Sequence, residues 1–355
     1  MNQTTRIHQT ANVPMQFVGP LKIMGNVMTG EVMAPLATYE SPLWATCHRG
    51  ARVTRESSGI QVTFIDDRMT RAILLEADSA SLLYPIVCHI KDRGDEMQTI
   101  VSKTSRFAKL INLHSQIVGS LLYLRFEFTT GDASGHNMVT LASDHLVEWL
   151  LAEYPVLHYV SISGNLCTDK KTSVVNGILG RGKYMIAEAM IPAYLCKRFL
   201  RTTPEKIVDL NTKKNLLGGI LAGSIRTANA HFANILLGFY LATGQDAANI
   251  VEGSQGIVFA EVRDQHLYFS ATIPNIIVGT VGSGKSFDFV KHNLQLMGCD
   301  QSRKPGDSAK RLAAITAALV LCGELSLLAA QTNRGELMRA HATLERKENK
   351  EISTT

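Results

Sequence analysis

The sequence predicts an α+β protein in which a helix-rich large domain surrounds a buried central helix and carries an inserted, ferredoxin-like small domain. Three observations lead to this fold class. Residues from about 71 to 163 alternate between extended and helical apolar patterns. Residues from about 177 onward form long segments crowded with Ala, Gly and Ser, which let helices pack closely. The 355 residues are 45% hydrophobic, which is enough for one large core or two domains of ordinary size.

The elements of the small domain follow in the order strand, helix, two strands, helix, strand. "TRAILLEA" is extended, and "DSASLLYPIVCHIKDRGDEMQTIVSKT" has a 3.6-residue apolar period. "AKLINLHSQIVGSLLYLRFEFTT" is long enough for a hairpin around Gly119 and Ser120. "NMVTLASDHLVEWLLAEYP" predicts a helix that ends before Pro155, with an apolar stripe of Met138, Leu141, Leu146, Leu150 and Leu151, and "VLHYVSIS" is extended again. This split βαβ pattern predicts an inserted domain over residues 73–161.

The flanking segments are expected to form the large domain together. It would comprise residues 1–72, with "MQFVGPLKI" and "GEVMAPLATYE", and residues 162–355. A long uncharged stretch, residues 227–245, contains three Asn or His residues and a terminal Gln, so it is too polar for a lone bilayer span of about 20 apolar residues. A buried helix is the expected alternative, and we predict no membrane association.

Charge and cysteine content narrow the function classes. The net charge is +5, and no run of five basic residues occurs, which favours anionic small molecules over nucleic acid. The six cysteines contain no CxxC pair, and the first residues lack the apolar core of a secretory signal. We therefore expect reduced thiols, a cytoplasmic protein and no metal site.

Residues 279–286, "GTVGSGKS", match the phosphate-binding P-loop pattern and follow an apolar run, "NIIVG". A P-loop nucleotidase also needs an acidic magnesium ligand at the end of another strand. About seventy largely helical residues follow the motif, and the best candidate strand, "EKIVDL" at residues 205–210, precedes it. A nucleotidase is therefore a remote alternative, and a glycine-rich turn that approaches backbone or ligand is favoured.

The segment "SGNLCTDKKT", residues 163–172, is the strongest candidate for chemistry. It places Asp169 beside Lys170 and Lys171 directly after a predicted strand. Adjacent lysines repel each other unless an anion lies near them. A solvated turn is the plainer alternative.

Several motifs in a common order resemble class I hydroxymethylglutaryl-CoA reductase. They are "SGNLCTDKK", "LGRGK", "NAHFANI", "GQDAANI", "GTVGSG" and "GDASGHNM", and the resemblance runs from about Asn12 to Arg346. The family reduces a thioester to an alcohol by two hydride transfers from a nicotinamide dinucleotide. The resemblance therefore implies reduction of 3-hydroxy-3-methylglutaryl-CoA to mevalonate for isoprenoid biosynthesis, in a homodimer or dimer of dimers whose active sites are shared between subunits.

The resemblance assigns four catalytic residues. Lys170 would stabilise the negative charge that develops on the carbonyl oxygen. Glu40, in "PLATYES", would deliver a proton, and Asp246 would hydrogen-bond both groups. His341 would protonate the departing CoA thiolate.

The binding residues carry over one by one from the same motifs. Around the hydroxymethylglutaryl group the resemblance places Arg71, Ser163, Asp169, Lys171, Lys214, His231 and Asn234, and at the CoA phosphates Arg49 and Arg201. It places the dinucleotide against Ser105, Arg106, Asp132, Ser134, Gly135, His136, Asn137, Met138, Gly282, Gly284 and Arg346. Arg106 and Arg346 would meet a 2′-phosphate, so the expected cofactor is NADPH rather than NADH.

Three departures from the family pattern keep alternatives open. Ser134 and His136 stand where methionines are usual, and Lys285 completes the P-loop pattern by substitution. Lys285 would meet a cofactor phosphate or simply face solvent. A divergent reductase of another acyl-CoA, or a binding protein without turnover, remains an alternative.

Overall fold

The computed structural model describes residues 11–339 of the chain. Two predicted site residues, His341 and Arg346, therefore lie outside the described part. The described strands are β1 (Met15–Gly25), β2 (Gly30–Ala37), β3 (Ile60–Glu76), β4 (Lys109–Val118), β5 (Leu121–Thr129), β6 (His158–Ser161), β7 (Gly182–Ile191), β8 (Ile257–Arg263) and β9 (His266–Ile276).

The helices alternate with these strands along the chain. They are α1 (Pro42–Glu56), α2 (Ala80–Lys91), α3 (Gly94–Thr104), α4 (His136–Glu153), α5 (Val174–Leu179), α6 (Ala193–Leu195), α7 (Pro204–Leu210), α8 (Gly219–Leu221), α9 (Phe232–Ala242), α10 (Ile250–Gly253), α11 (Asp288–Leu296) and α12 (Asp307–Gln331). Two π-helical segments lie at Cys196–Leu200 and Asn211–Gly218, and a 3₁₀ turn at Ala247–Asn249. The α+β class predicted from the sequence is confirmed.

Strand β3 joins the two parts of the sheet. Its first half pairs in parallel with β1 from Ile60 and antiparallel with β7 from Gln61 to Arg68. Its second half, from Met69 onward, pairs antiparallel with β5 and β6. The larger part runs in the order β2-β1-β3-β7-β9-β8, and the smaller in the order β4-β5-β3-β6.

Helix α12 lies at the centre of the larger apolar cluster. Nearly all of its 25 residues are buried, and small side chains let neighbouring elements approach it closely. A Cβ added to Gly50 of α1 would lie 2.0 Å from the carbonyl oxygen of Cys322. By length and hydropathy α12 could cross a membrane, but 94% of its most apolar window is buried inside the structure, as expected of a core helix.

The structure differs from the predicted elements of the small unit at two points. The single helix predicted before the hairpin is two helices, α2 and α3, separated at Asp92 and Arg93. In α4, Leu141 is 48% exposed, and Val139 and Ala142 take part in the buried stripe instead. The hairpin at Gly119 and Ser120 is confirmed.

The predictions for the second half of the chain missed three strands. β7, β8 and β9 lie in a stretch predicted to be dominated by helices. β7 and β9 are central and largely buried, so their apolar residues do not alternate cleanly, and periodicity does not separate them from buried helices. Residues 205–210, considered as a strand, lie in α7, which Pro204 begins and the Thr203 hydroxyl caps.

Candidate active site

An ion pair between Lys170 and Asp246 is the centre of the candidate site. Lys170 Nζ lies 2.7 Å from Asp246 Oδ2, and the two side chains are 42% and 43% exposed. The hydrogen bond that Lys170 donates to Asp246 raises the pKa of Lys170. Burial alone would raise the pKa of Asp246, but the hydrogen bond and charge of Lys170 lower it on balance. Both groups are therefore charged at neutral pH.

A buried charge network holds the loop that carries Lys170. The backbone amide of Lys170 donates to Glu252 Oε1 over 2.7 Å, and Arg181 donates to the same oxygen over 2.8 Å. Arg181 Nη2 also lies 2.9 Å from Asp169 Oδ1. Burial raises the pKa of Glu252, against the opposing charge of Arg181. Because Lys170 has a φ of +56°, the loop conformation is unusual for a residue with a side chain and depends on these contacts.

Arg125, on β5, also holds the loop that carries Lys170. It is fully buried and donates to the carbonyl oxygens of Leu166 and Gly180 and to Asn176 Oδ1, at 2.8–3.0 Å. Its charge is matched by Glu127, 3.1 Å away. Sequence reasoning missed Arg125, Arg181 and Glu252. The available signal was the pair of opposite charges inside the apolar strand "LRFEF".

His136 links the predicted dinucleotide turn to this loop. It is the first residue of α4, and its Nε2 lies 3.7 Å from Asp169 Oδ1. Burial and the nearby charge of Arg181 lower the pKa of His136 to about 4, so the ring is neutral at pH 7. Arg71 contacts the same helix, α4, because its Nη2 donates to the hydroxyl of Thr140. The Nε of Arg71 is buried without a hydrogen-bond partner among the described residues.

A cavity of about 510 Å³ opens beside the ion pair. Its walls are residues 133–138, residues 244–246 and residues 281–285. The predicted residues Ser134, Gly135, His136, Asn137, Met138, Asp246, Gly282 and Gly284 therefore share one cavity. A Cβ on Gly282 would meet no atom within 4 Å, so this glycine borders open space.

The P-loop motif does not have the setting of a nucleotidase. The preceding strand, β9, is antiparallel to both β7 and β8, whereas a P-loop follows a strand of a parallel sheet. The motif instead packs on two other turns. Thr280 N donates to the Asp132 carbonyl oxygen over 2.8 Å, and the Gln245 side chain pairs with both backbone groups of Gly279. It is a glycine-rich turn at a cavity wall, as favoured from the sequence.

A second cavity, of about 490 Å³, has another predicted dinucleotide residue, Arg106, in its wall. Arg106 stacks on the Phe107 ring, with Lys109 and Lys310 in the same wall. The Ser105 hydroxyl accepts a hydrogen bond from the Phe107 amide. Residue Gly131 belongs to this wall, so the turn at residues 131–138 connects the two cavities.

Asp132, in that turn, makes structural contacts with its side chain. Its two carboxylate oxygens accept hydrogen bonds from the amides of Gly306 and Ala309, at 3.0 and 2.9 Å. It thereby caps the N-terminus of α12. Asp132 was predicted as part of the turn that contacts the dinucleotide, and its carboxylate holds that turn against α12.

A third cavity, of about 370 Å³, has Glu40 but not Lys170 in its wall. Glu40 Oε2 accepts a hydrogen bond from Asn234 Nδ2 over 3.1 Å, and His231 lines the same wall. Arg49 lies there too and pairs with Glu336 at 2.7 Å. The walls of this cavity include neither Lys170 nor Asp246, and no contact within residues 11–339 joins Glu40 to Asp246. Of the predicted catalytic residues within residues 11–339, Glu40 thus lies at one cavity, and Asp246, with its partner Lys170, at another.

The remaining predicted substrate residues lie at several places. The amides of Ala230 and His231 donate to buried Glu324, whose carboxylate holds the start of α9. Burial lowers the pKa of half-buried Lys214, against the charge of Glu324. The other three are the exposed Lys171, Ser163 beside Ser161, and the exposed Arg201, whose carbonyl oxygen accepts from Asn333.

The fold and site are typical of a protein that binds small molecules, since the walls of its three cavities each combine a lysine or arginine with a carboxylate. A family model, hydroxymethylglutaryl-coenzyme A reductase, matches residues 7–346. The 3-hydroxy-3-methylglutaryl-coenzyme A reductase of Pyrococcus horikoshii is 47% identical over 94% of this chain and 81% of its own length. That of Methanocaldococcus jannaschii is 41% identical over 94% and 82%. The chain belongs to the hydroxymethylglutaryl-CoA reductase family.

A solved structure supports the fold independently. The class II 3-hydroxy-3-methylglutaryl-CoA reductase of Streptococcus pneumoniae, bound to NADPH, superimposes with a TM-score of 0.72. It covers 93% of this chain and 88% of its own, at 18% identity. At that identity the likeness concerns the fold alone.

Proposed function

We propose that this protein reduces 3-hydroxy-3-methylglutaryl-CoA to mevalonate and CoA, using two NADPH. The observation that carries the proposal is the Lys170–Asp246 ion pair at the wall of the 510 Å³ cavity, in a chain that belongs to this family. NADPH, when bound, supplies the hydride for both steps. The described residues fit it, because a glycine-rich turn, the start of α4 and a basic cavity lie next to one another.

Lys170 has the properties that an oxyanion stabiliser needs. Its ammonium stays protonated, because Asp246 raises its pKa, and it is fixed by the loop contacts of Asp169 and Glu252. A fixed cation stabilises negative charge on the carbonyl oxygen more in the transition state than in the ground state. Glu40 would supply the proton, and His341, outside the described residues, would protonate the thiolate.

The division of the site between two cavities supports a shared active site. We propose that Glu40, His231 and Asn234 of one subunit face Lys170 and Asp246 of another, in a homodimer or a dimer of dimers. Exposed apolar side chains near Lys214 are consistent with such a contact, since Ile220 and Leu221 are 74% and 89% exposed. A catalytically active monomer would contradict this arrangement.

The small unit is proposed to be a ferredoxin-like dinucleotide domain over residues 73–161, with the rest of the chain forming the substrate domain. The strand order β4-β5-β3-β6, with α2, α3 and α4 as connections, supports it. A separate apolar cluster, formed by residues 69–157 and Ile277, supports it as well. Within this domain, Arg106 would bind the 2′-phosphate that distinguishes NADPH from NADH.

The reaction is tested by mixing purified protein with 3-hydroxy-3-methylglutaryl-CoA and NADPH and following the nicotinamide absorbance. Oxidation of two NADPH per thioester is expected. Turnover with a different acyl-CoA alone would support the divergent reductase, for which Ser134 and His136 in the cavity wall are the specific observation. Binding of these ligands without turnover would contradict both the proposed reaction and the divergent reductase.

A further inference from the structure

Lys285 is a half-buried cation that the proposed mechanism does not use. It lies in the wall of the 510 Å³ cavity, and its Nζ donates to the carbonyl oxygen of Gly244. No carboxylate of residues 11–339 forms an ion pair with it, since nearby Asp246 is paired with Lys170. Burial alone lowers the pKa of Lys285 to about 8. An ammonium in this position lacks a counter-charge.

Backbone packing keeps Lys285 at this place. Gly284 and Gly244 are so close that a Cβ on either would lie 2.4 Å from the carbonyl oxygen of the other. Gln245 ties the beginning of the same turn through Gly279, at 2.9 and 3.1 Å. The ammonium is therefore carried by a well-anchored turn, so little ordering is needed when it binds a ligand.

Another wall of the cavity favours the same kind of ligand. It is the start of α4, an 18-residue helix whose N-cap residue, Gly135, makes no side-chain cap hydrogen bond. Helix N-termini favour anions, and Lys285 lines the same cavity. The proposed occupant, NADPH, carries a diphosphate between its two nucleosides.

We propose that Lys285 binds the diphosphate of the nicotinamide dinucleotide, as an additional binding residue in this cavity. The inference rests on the proposed function. On binding, the ammonium forms a charge-assisted hydrogen bond to phosphate. This bond replaces its hydrogen bond to the neutral carbonyl oxygen of Gly244 or is made in addition to it. This gives the lysine of "GTVGSGKS" a phosphate ligand without the fold or the chemistry of a nucleotidase.

The test measures dinucleotide affinity with the full-length protein, by nicotinamide fluorescence or calorimetry. Lys285→Met should raise the Kd for NADPH roughly tenfold, because one charge-assisted hydrogen bond is lost at a half-buried position. The Kd for NADH should rise by the same factor, since NADH carries the same diphosphate. The Kd for adenosine 2′-phosphate, measured by competition, should be unchanged, because this ligand has no diphosphate.

Three control variants keep the result specific. Lys291→Met removes one charge from exposed α11 nearby and should leave every Kd unchanged. Arg106→Met should weaken NADPH and adenosine 2′-phosphate but not NADH. Lys285→Arg should stay within about threefold of the unmodified protein. If Lys285→Met does not fold, Lys285→Gln takes its place in the comparison.

Two outcomes would overturn the inference. One is a Lys285→Met or Lys285→Gln protein that binds NADPH within twofold of the unmodified chain. The other is an equal loss in Lys291→Met, which would show a general charge effect. If the unmodified protein binds no NADPH at all, the proposed function itself fails, and that result is distinguishable from both.

Discussion

Replacing Lys170 by Met tests the central step of the proposed mechanism. The substitution keeps most of the side-chain volume and removes the ammonium that pairs with Asp246 at 2.7 Å. A unit charge about 3 Å from an oxyanion contributes about 3–6 kcal/mol at an effective dielectric constant of about 20–40. Because the Lys170 side chain is 42% exposed, the lower end applies. A loss of about 3 kcal/mol corresponds to a fall in kcat of about a hundredfold to a thousandfold.

Folding stability should be nearly unaffected by the same change. An ion pair this exposed contributes about 0–1 kcal/mol to the free energy of unfolding. The assay is NADPH oxidation at saturating thioester, with thermal unfolding measured on the same samples. Lys213→Met is a matched control, because Lys213 is 68% exposed and pairs with Asp209 on the surface.

Two results would refute this reasoning about Lys170. A Lys170→Met protein that retains more than a tenth of the unmodified kcat would show that the ammonium does not stabilise the transition state. A large drop in melting temperature would show that the activity loss reflects misfolding of the loop instead.

Three further predictions concern the parts that support the site. Arg125→Met should lower the free energy of unfolding by about 2–4 kcal/mol, because it takes away the donor to the carbonyl oxygens of Leu166 and Gly180 and one of the two arginines that pair with buried Glu127; denaturant unfolding measures this, and a loss below about 1 kcal/mol would contradict it. His136→Met should flatten the pH dependence of stability: the folded pKa of His136, about 4, lies below its usual 6.5, so stability is present above pH 6.5 and lost as pH falls toward 4, by at most about 3 kcal/mol. Melting temperatures across this range should fall less steeply in the variant than in the unmodified chain, and equal slopes would refute the assignment. Gly50→Ala should destabilise by about 1–3 kcal/mol or more, because its Cβ would lie 2.0 Å from the Cys322 carbonyl oxygen, whereas Gly94→Ala, with nothing within 4 Å, should be neutral or slightly stabilising in the same unfolding assay.

Local patterns predicted the hairpin and helix α4 of the small unit. The hairpin was visible because a turn at Gly119 and Ser120 interrupts an extended run, and α4 because Pro155 follows its apolar period. The break at Asp92 and Arg93 was not visible, because both α2 and α3 continue a helical period on either side of it. Arg93 is held there by Glu96 and Glu153, which are contacts that a local pattern does not report.

The sequence by itself determined the α+β class, the motifs and the residue types that carry the chemistry, because these depend on short-range patterns. Tertiary structure decided which of these residues contact each other. It joined Lys170 to Asp246 across 76 positions, placed Glu40 in another cavity, and buried Arg125 and Glu252 under the loop. The physical reason is that the partners of a buried charge are chosen by packing between distant segments, and spacing along the chain does not encode that choice.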